Sequence, residues 1–370
     1  MKTLLTIVRW VVGLLFIFSG LVKANDPLGL SYKMQEFFDV WGWHFFNDYT
    51  LAFSIIMNVF EVLAGVAVII GWRMKLFSWL LLLLIIFFSF LTGYAVLSGK
   101  IKTCGCFGDC IPLSAVQSFM KDIILLILIL VLFVNKNKIH SSLKPFIAAS
   151  ILIISVVAVS VLQGIVLRYL PVVDCLPYKA GNNISEQMKM PAGAIPDSTS
   201  INYQYKKNGK IVEFDMDHFP ADFDSTYEYV NRFDKVVRKG TGGPKISDFS
   251  LHSFAGIDST QAILSQSRKY VMIFIKDFSD VKDWKDDKFG FVVDELRVRG
   301  VRILYVTSQP ETAAKYFDST RIMRCDATVI KTAARANPTY IVMNGANILA
   351  KFSYADADKV YEFIDEAGKP

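Results

Sequence analysis

Five long apolar segments in the first half of the chain restrict what this sequence can fold into. A helix needs about 20 mostly apolar residues to cross the hydrocarbon core of a membrane. Each of the five segments comes near that length, and polar segments separate them. We therefore predict a bundle of five membrane-spanning helices. The segments are Leu4–Val22, Leu51–Gly71, Leu76–Leu97, Val116–Val134 and Phe146–Leu167.

The second half of the chain has the composition of a water-exposed region. Over all 370 residues, 53% are hydrophobic and the net charge is +6, but the apolar excess lies almost entirely before residue 170. The basic residues form no dense patch, so we predict no nucleic-acid binding. Their distribution among the short loops predicts an inner N-terminus. Residues 25–49, residues 98–115 and everything after residue 170 would then lie outside, in the periplasm of a bacterium, with the bundle in the lipid of the inner (cytoplasmic) membrane.

Four charged residues fall inside the predicted spans. Lys121 and Asp122 lie near the start of the fourth, where a bundle interior or a membrane interface tolerates them. Arg9 in the first span and Glu61 near the middle of the second stand out. A charge in hydrocarbon is unfavourable by several kcal/mol unless it is paired or protonated. One interpretation is a proton-handling or quinone-associated site. The alternative is structural, either an Arg9–Glu61 ion pair or a hydrogen bond from Glu61 across the bundle. The sequence leaves both open.

The predicted outer loop at residues 25–49 is rich in tryptophan and phenylalanine. Aromatic rings with polar edges settle at the headgroup level of a membrane. The segment is therefore expected to lie at the interface, or alternatively to form a lid over a lipid or quinone pocket.

Four of the five cysteines are predicted to lie in one layer near the outer membrane surface. Cys104, Cys106 and Cys110 are in the loop between the third and fourth spans, and Cys175 follows the fifth span. Glycines on either side of Cys106 give the flexible backbone that thiol–disulfide exchange needs. The alternatives are structural disulfides such as Cys110–Cys175, or a metal site, which the lack of histidine in the loop disfavours. Cys325 is expected to be a buried structural thiol.

Beyond Cys175 the pattern changes to alternating strands and helices. Asn208-Gly209 predicts a hairpin turn between Ile201–Tyr205 and Ile211–Asp215, and residues 227–239 fit a strand or a short helix. We predict further strands at Asp248–His252, Tyr270–Lys276, Val301–Thr307, Thr339–Met343 and Ile348–Ser353, and helices at Thr260–Gln266, Phe289–Arg297, Glu311–Phe317 and Ala357–Ala367.

At three places the first 135 residues resemble known membrane proteins. The first span, from Arg9 to Lys23, and Glu61 with the following Ala64-Gly65 are similar to DoxX-family proteins. The motif Cys-Gly-Cys-Phe-Gly at residues 104–108 resembles that of the related MauE-type proteins. The resemblance implies a four-helix core plus a fifth span, with Cys104 and Cys106 as a redox pair and Arg9 and Glu61 as intramembrane charges. It also implies thiol–disulfide chemistry on a periplasmic thiol protein, with a quinone as a candidate cofactor.

The order of elements after residue 245 resembles a thioredoxin-like fold. Pro338 precedes the predicted final hairpin, where that fold carries its cis-proline. The chain departs from the family after Tyr270–Lys276, because residues 277–284 contain no Cys-x-x-Cys. Such a domain cannot perform dithiol chemistry by itself, so it is expected to bind a partner or to cover the membrane site.

Together these patterns predict four regions. They are a DoxX/MauE-like bundle (residues 1–135), a fifth transmembrane helix (136–170), a periplasmic linker and β region (171–244) and a thioredoxin-like domain (245–370). The predicted function is a membrane thiol–disulfide or quinone-linked redox protein that supports oxidation or maturation of a periplasmic partner. Cys110 and Cys175 would be a resolving pair or a structural pair. The alternative is a non-enzymatic, membrane-anchored assembly or scaffold protein with structural disulfides. No metal site is predicted.

Overall fold

The computed structural model describes most of the chain. Cys104 and the predicted turn Asn208-Gly209 lie outside the described residues. The described ranges are 2–99, 101, 105–141, 143–195, 198–207, 210–215, 218–238, 240, 242–279, 281, 285 and 287–366.

The first half of the chain is helical. Within the described ranges, five helical segments are long and apolar enough to cross a membrane, which confirms the five predicted spans. A shorter helix, which was not predicted, lies between the first and second of them. The helices are α1 (Lys2–Asn25), α2 (Pro27–Trp41), α3 (Thr50–Ile70), α4 (Met74–Ser98), α5 (Ala115–Val134) and α6 (Pro145–Arg168), with a short 3-10 helix at His44–Tyr49.

Local sequence signals mark the ends of these helices. Asp26 caps α2, since its side chain accepts a hydrogen bond from the Gly29 amide. Ser114 begins α5 with a capping box, in which its side chain and that of Gln117 each bind the other's backbone amide. Gly71 ends α3 in the left-handed region, with φ of 77°, a conformation that glycine adopts without strain.

The closest helix pair in the bundle is α1 with α3. A Cβ atom built on Gly13 would lie 2.8 Å from the Gly65 carbonyl oxygen, and one built on Gly65 would lie 2.6 Å from the Gly13 carbonyl oxygen. The two backbones therefore touch at this crossing, and only glycine fits on both sides.

Helix α2 covers the ends of α3 and α4 on the side of the cysteine loop. Ser31 donates a hydrogen bond to Thr50 at 2.9 Å, and the Trp41 ring lies 5.5 Å from the Tyr94 ring. Phe37 is buried beside Ala95. The aromatic residues of this segment thus pack partly against the bundle rather than forming an irregular loop.

The second half of the chain contains two separate sheets. In the smaller one, β1 (Ser198–Lys207) pairs antiparallel with β2 (Lys210–Asp215) and β3 (Glu228–Arg238), in the order β2-β1-β3. The larger sheet has six strands in the order β4-β7-β6-β5-β8-β9. Its strands are β4 (His252–Ser253), β5 (Lys269–Ile275), β6 (Arg302–Thr307), β7 (Ile322–Arg324), β8 (Thr339–Asn344) and β9 (Asn347–Ser353).

The centre of the larger sheet is buried on both faces. Strands β5, β6 and β7 run parallel, β8 runs antiparallel to β5, and β9 runs antiparallel to β8. Met272 and Phe274 of β5 point into one core and Val271 and Ile273 into the other. Burial on both faces explains why the sequence of β5 is a continuous apolar run. Short helices flank the sheet at α7 (Ile184–Gln187), α8 (Thr260–Leu264), α9 (Asp287–Val298), α10 (Pro310–Ala313), α11 (Ala327–Ala333) and α12 (Lys359–Glu366).

Several elements differ from the prediction. The predicted strand at Asp248–His252 is reduced to the two residues His252–Ser253, and β7 and α11 were not predicted. Their three and seven residues are too short for a periodic signal. Residues 228–238 form a strand, which was one of the two alternatives. Tyr178 and Ile184, in the predicted linker, are buried in the core of the six-stranded sheet. Part of that linker therefore belongs to this core.

Candidate functional site

A buried ion pair between α1 and α3 lies at the centre of the candidate site. The Lys23 ammonium contacts Glu61 Oε1, and their side chains are 3% and 1% exposed. Ser19, one turn before Lys23, donates its hydroxyl to Glu61 Oε2 at 3.0 Å and is also 3.1 Å from the carbonyl oxygen of Cys106. The pair is therefore connected to the cysteine loop through the Ser19 hydroxyl.

A second buried pair approaches the same loop from α5. Lys121 Nζ lies 2.6 Å from Asp122 Oδ1, and the Asp122 side chain is fully buried. Thr92 of α4 donates a hydrogen bond to Asp122 Oδ2 at 3.0 Å. The Lys121 ammonium also lies 5.3 Å from the centre of the Phe107 ring, a cation–π distance.

Cys106 lies between the two ion pairs. Together with Glu61 and Asp122 it lines an internal cavity of about 20 Å³, enough for one water molecule. Cys106 is not in a disulfide. Burial raises the pKa of its thiol, an effect that the nearby Lys121 opposes. The thiol is thus placed where a proton can be exchanged with buried charged groups.

Cys106 also lines a larger, mostly apolar cavity of about 360 Å³ between α2, α3 and α4. Its walls include Ile56 and Phe87, which are exposed on the outer surface of the bundle. The cavity therefore opens toward the region that lipid would occupy. Its polar lining is restricted to a few groups, among them Lys23 and Thr92.

The remaining cysteine pair lies at a different place. Cys110 and Cys175 form a disulfide with a Cα–Cα distance of 4.8 Å, which ties the cysteine loop to the segment after α6. Both line a chamber of about 900 Å³ between the bundle and the C-terminal domain. Cys106 does not line this chamber, so the described cysteines of this layer are divided between two compartments.

Ion pairs hold the C-terminal domain against the end of the bundle that carries the cysteine loop. The Arg335 guanidinium binds Asp26 at 2.8 Å and Asp109, next to Cys110, at 2.9 Å. Lys351 of β9 pairs with Asp174 at 2.9 Å. Arg335 precedes the cis peptide bond Asn337–Pro338 by two residues. The segment just before Pro338 therefore contacts the bundle through Arg335.

The structure separates Arg9 from Glu61. The Arg9 side chain donates hydrogen bonds to the carbonyl oxygens of Val68 and Ile69, at 3.1 and 2.6 Å, at the end of α3 opposite the cysteine loop. The Arg9–Glu61 pair is therefore wrong, because Arg9 lies about three turns too early on α1 to reach Glu61.

Sequence reasoning missed the partners of Glu61, and it placed Lys121 and Asp122 in the fourth span without expecting them to pair beside the cysteine loop. Ser19 and Lys23 are four residues apart on α1, so they lie on one face of the helix. That spacing was the sequence signal that a polar face of α1 could meet Glu61. Cys325 is buried beneath the six-stranded sheet, and burial raises the pKa of its thiol to about 12, which fits the expected structural thiol. No group of metal-ligating side chains is present among the described residues.

Comparison with known proteins gives two family matches. Residues 1–135 match the family of methylamine utilisation protein MauE, and residues 199–239 match a domain of unknown function (DUF8463). The chain matches no curated protein and no solved structure. Residues 1–135 therefore form a MauE-like domain, within a chain whose described residues include five helices long and apolar enough to cross a membrane.

Proposed function

We propose that this protein is a quinone-linked thiol–disulfide redox protein, with Cys104 and Cys106 as its inner redox pair. The observation that carries this proposal is the position of Cys106, which lines both the lateral apolar cavity and the small polar cavity between two buried ion pairs. A hydrophobic oxidant and a proton-exchanging cluster thus meet at one thiol.

The lateral cavity has the properties that a quinone ring requires. Its volume of about 360 Å³ falls within the range of small-molecule sites, about 300–1,000 Å³. Its walls are mainly aromatic and aliphatic, and the Lys23 ammonium is a hydrogen-bond donor for a carbonyl oxygen. The opening between Ile56 and Phe87 would let an isoprenoid tail remain in the lipid.

The chemistry balances with a quinone as the oxidant. Oxidation of the two thiols of Cys104 and Cys106 to a disulfide releases two electrons and two protons, and reduction of a quinone to a quinol consumes both. Glu61 and Asp122 are the carboxylates beside Cys106 that would carry these protons. Lys23 and Lys121 would stabilise thiolate and quinol anion.

The C-terminal domain would bind the partner rather than perform the chemistry. Its central strands, final hairpin and cis peptide at Pro338 support a thioredoxin-like domain. Residues 277–284, directly after β5, contain no cysteine, and the redox pair of such a domain would lie there. We infer that it positions a periplasmic thiol protein over the bundle.

The distribution of charge supports a periplasmic C-terminal domain. The basic residues Arg73, Lys75, Lys136, Lys138 and Lys144 lie near the helix ends opposite the cysteine loop. Basic loops remain on the cytoplasmic side of bacterial inner membranes. The similarity to methylamine utilisation protein MauE fits maturation of a periplasmic enzyme, and a role in methylamine use is one form that this would take.

Quinone reduction by the full-length protein in lipid nanodiscs tests the proposal. We would supply a reduced peptide with two cysteines and a short-chain ubiquinone, without oxygen, and measure quinol absorbance. Wild type should form one quinol per peptide disulfide, while Cys104→Ser and Cys106→Ser should form none. Cys325→Ser is the matched control and should behave as wild type. Unchanged quinol formation in Cys106→Ser would refute the role of this pair.

A scaffold function is the second candidate, and the Cys110–Cys175 disulfide with the Arg335 ion pairs favours it. These contacts would hold the C-terminal domain rigidly for docking. A full-length chain with both Cys104 and Cys106 replaced by serine separates the two functions. If it still matures its partner in cells, the scaffold is correct.

A further inference from the structure

The disulfide Cys110–Cys175 and the thiol of Cys106 face different surroundings. Cys106 lines the lateral cavity and the small polar cavity, and both lie within the bundle. Cys110 and Cys175 line the chamber between the bundle and the C-terminal domain. A protein thiol that arrives from water can enter the chamber, whereas the lateral cavity opens toward lipid. An incoming protein substrate therefore meets the disulfide first.

The walls of the chamber favour a thiolate. Arg335 and Lys33 already contact carboxylates, Asp109 and Glu36 among them. Further basic side chains line the chamber, and none of them has a carboxylate partner among the described residues. They are Lys179, Lys245 and Lys331. Positive charge nearby stabilises the thiolate, which is both the attacking and the leaving form in disulfide exchange.

The chain connects the chamber directly to the inner site. Cys110 follows Cys106 by four residues, which limits their separation to about 14 Å even in extended chain. The loop is folded more tightly than that, since the Gly108 amide donates a hydrogen bond to the Gly105 carbonyl at 3.0 Å. Lys33 lies in the walls of both compartments. Disulfide exchange between Cys110 and Cys106 would therefore span only this turn and would pass electrons from the chamber to the inner site.

We propose that Cys110–Cys175 is the outer redox disulfide of this protein and that the chamber is the docking site for a dithiol segment of the partner protein. The inference rests on the proposed function, to which it adds the site of substrate entry. Cys175 is the sulfur that the partner attacks, because the thiol released must be the one near the inner pair, and that is Cys110.

The exchange proceeds in balanced steps. A partner thiolate attacks the Cys175 sulfur, the Cys110–Cys175 bond breaks, and Cys110 leaves as a thiolate. The second partner thiol displaces Cys175, so the partner gains a disulfide and its two protons go to Cys110 and Cys175. This dithiol then reduces a Cys104–Cys106 disulfide by two further exchanges and re-forms its own bond. The inner dithiol finally passes two electrons and two protons to the quinone.

Trapping with a monothiol peptide tests which sulfur is attacked. The full-length protein in nanodiscs would be mixed with a one-cysteine peptide, quenched by acid and mapped by mass spectrometry. We expect the peptide on Cys175. In the Cys106→Ala variant, a dithiol peptide should reduce the Cys110–Cys175 disulfide once. No quinol should form when ubiquinone is present. The Cys110→Ala/Cys175→Ala variant should oxidise the peptide at least ten-fold more slowly than wild type.

The outcomes separate this inference from the proposed function. If wild type forms quinol but the trapped peptide lies on Cys106, the outer disulfide is a structural bond and the inference is overturned alone. If the Cys110→Ala/Cys175→Ala variant oxidises the dithiol peptide at the wild-type rate, the outer disulfide is likewise only structural. If wild type forms neither quinol nor peptide disulfide, the proposed function fails and the inference with it. Because the trap uses wild type, its result does not depend on whether the double variant folds.

Discussion

Replacing Glu61 by glutamine should strongly destabilise the bundle. The substitution keeps the size of the side chain but leaves the Lys23 ammonium, which is 3% exposed, without a counter-ion. Removing one partner of a buried ion pair costs about 3–5 kcal/mol, because the remaining charge is buried and unpaired. The unfolding equilibrium constant should therefore rise by at least roughly 100-fold, at about 1.4 kcal/mol per factor of ten.

A double-mutant cycle separates the ion pair from other effects of the substitution. Lys23→Met should cost a similar amount, whereas Lys23→Met/Glu61→Gln should be much closer to wild type, since no unpaired charge remains. We would measure the free energy of unfolding by titration with SDS in mixed micelles. The exposed pair Lys189–Glu186 provides the control, and Glu186→Gln should produce no measurable change.

The reasoning fails if Glu61→Gln changes the free energy of unfolding by less than about 1 kcal/mol, the value typical of exposed pairs. It also fails if the double variant is as unstable as the sum of the two single variants. Either result would mean that water reaches Lys23 and Glu61, and the cluster beside Cys106 would then lose its low-dielectric character.

Three further predictions concern packing and titration. Gly65→Val should destabilise the bundle by about 1–3 kcal/mol in the same SDS assay, because its Cβ would lie 2.6 Å from the Gly13 carbonyl oxygen; an unchanged value would contradict the close contact. Burial raises the pKa of Cys106, so its iodoacetamide alkylation rate should reach half-maximum above the usual pH of about 8.5, and a midpoint below this would be contrary evidence. Burial lowers the pKa of Lys276 to about 8. The unfolded chain then binds more protons between about pH 8 and 10.4, so stability should rise with pH there, and Lys276→Met should remove that rise.

Much of the fold could be predicted because its signals are local. The five spans follow from apolar length, and β5 follows from an apolar run bounded by polar residues. Helix α2 was missed because its aromatic residues resemble an interfacial loop, although Asp26 and Pro27 mark a helix start. Strand β7 has three residues, and its pairing with β6 rather than any propensity makes it a strand.

The candidate site could be predicted only in part. The cysteine layer, Glu61 and Pro338 were visible as unusual residue types at particular places in the sequence. The partner of Glu61 could not be recognised in the sequence. Lys23 lies near the end of a span, and the charged group of a lysine there ordinarily extends to the membrane interface. Its inward direction depends on how α1 rotates against α3, which the Gly13–Gly65 contact fixes.

The sequence by itself determined that the chain has five membrane-spanning segments, a strand-rich second half and a cysteine-containing loop between the third and fourth spans. These features depend on composition and on residues close together in the chain. Only the tertiary structure decided that Glu61 pairs with Lys23, 38 positions away, and that Cys106 and the Cys110–Cys175 disulfide line different cavities. The physical reason is that burial and ion pairing depend on helix rotation and domain docking, and neither is encoded in any single segment.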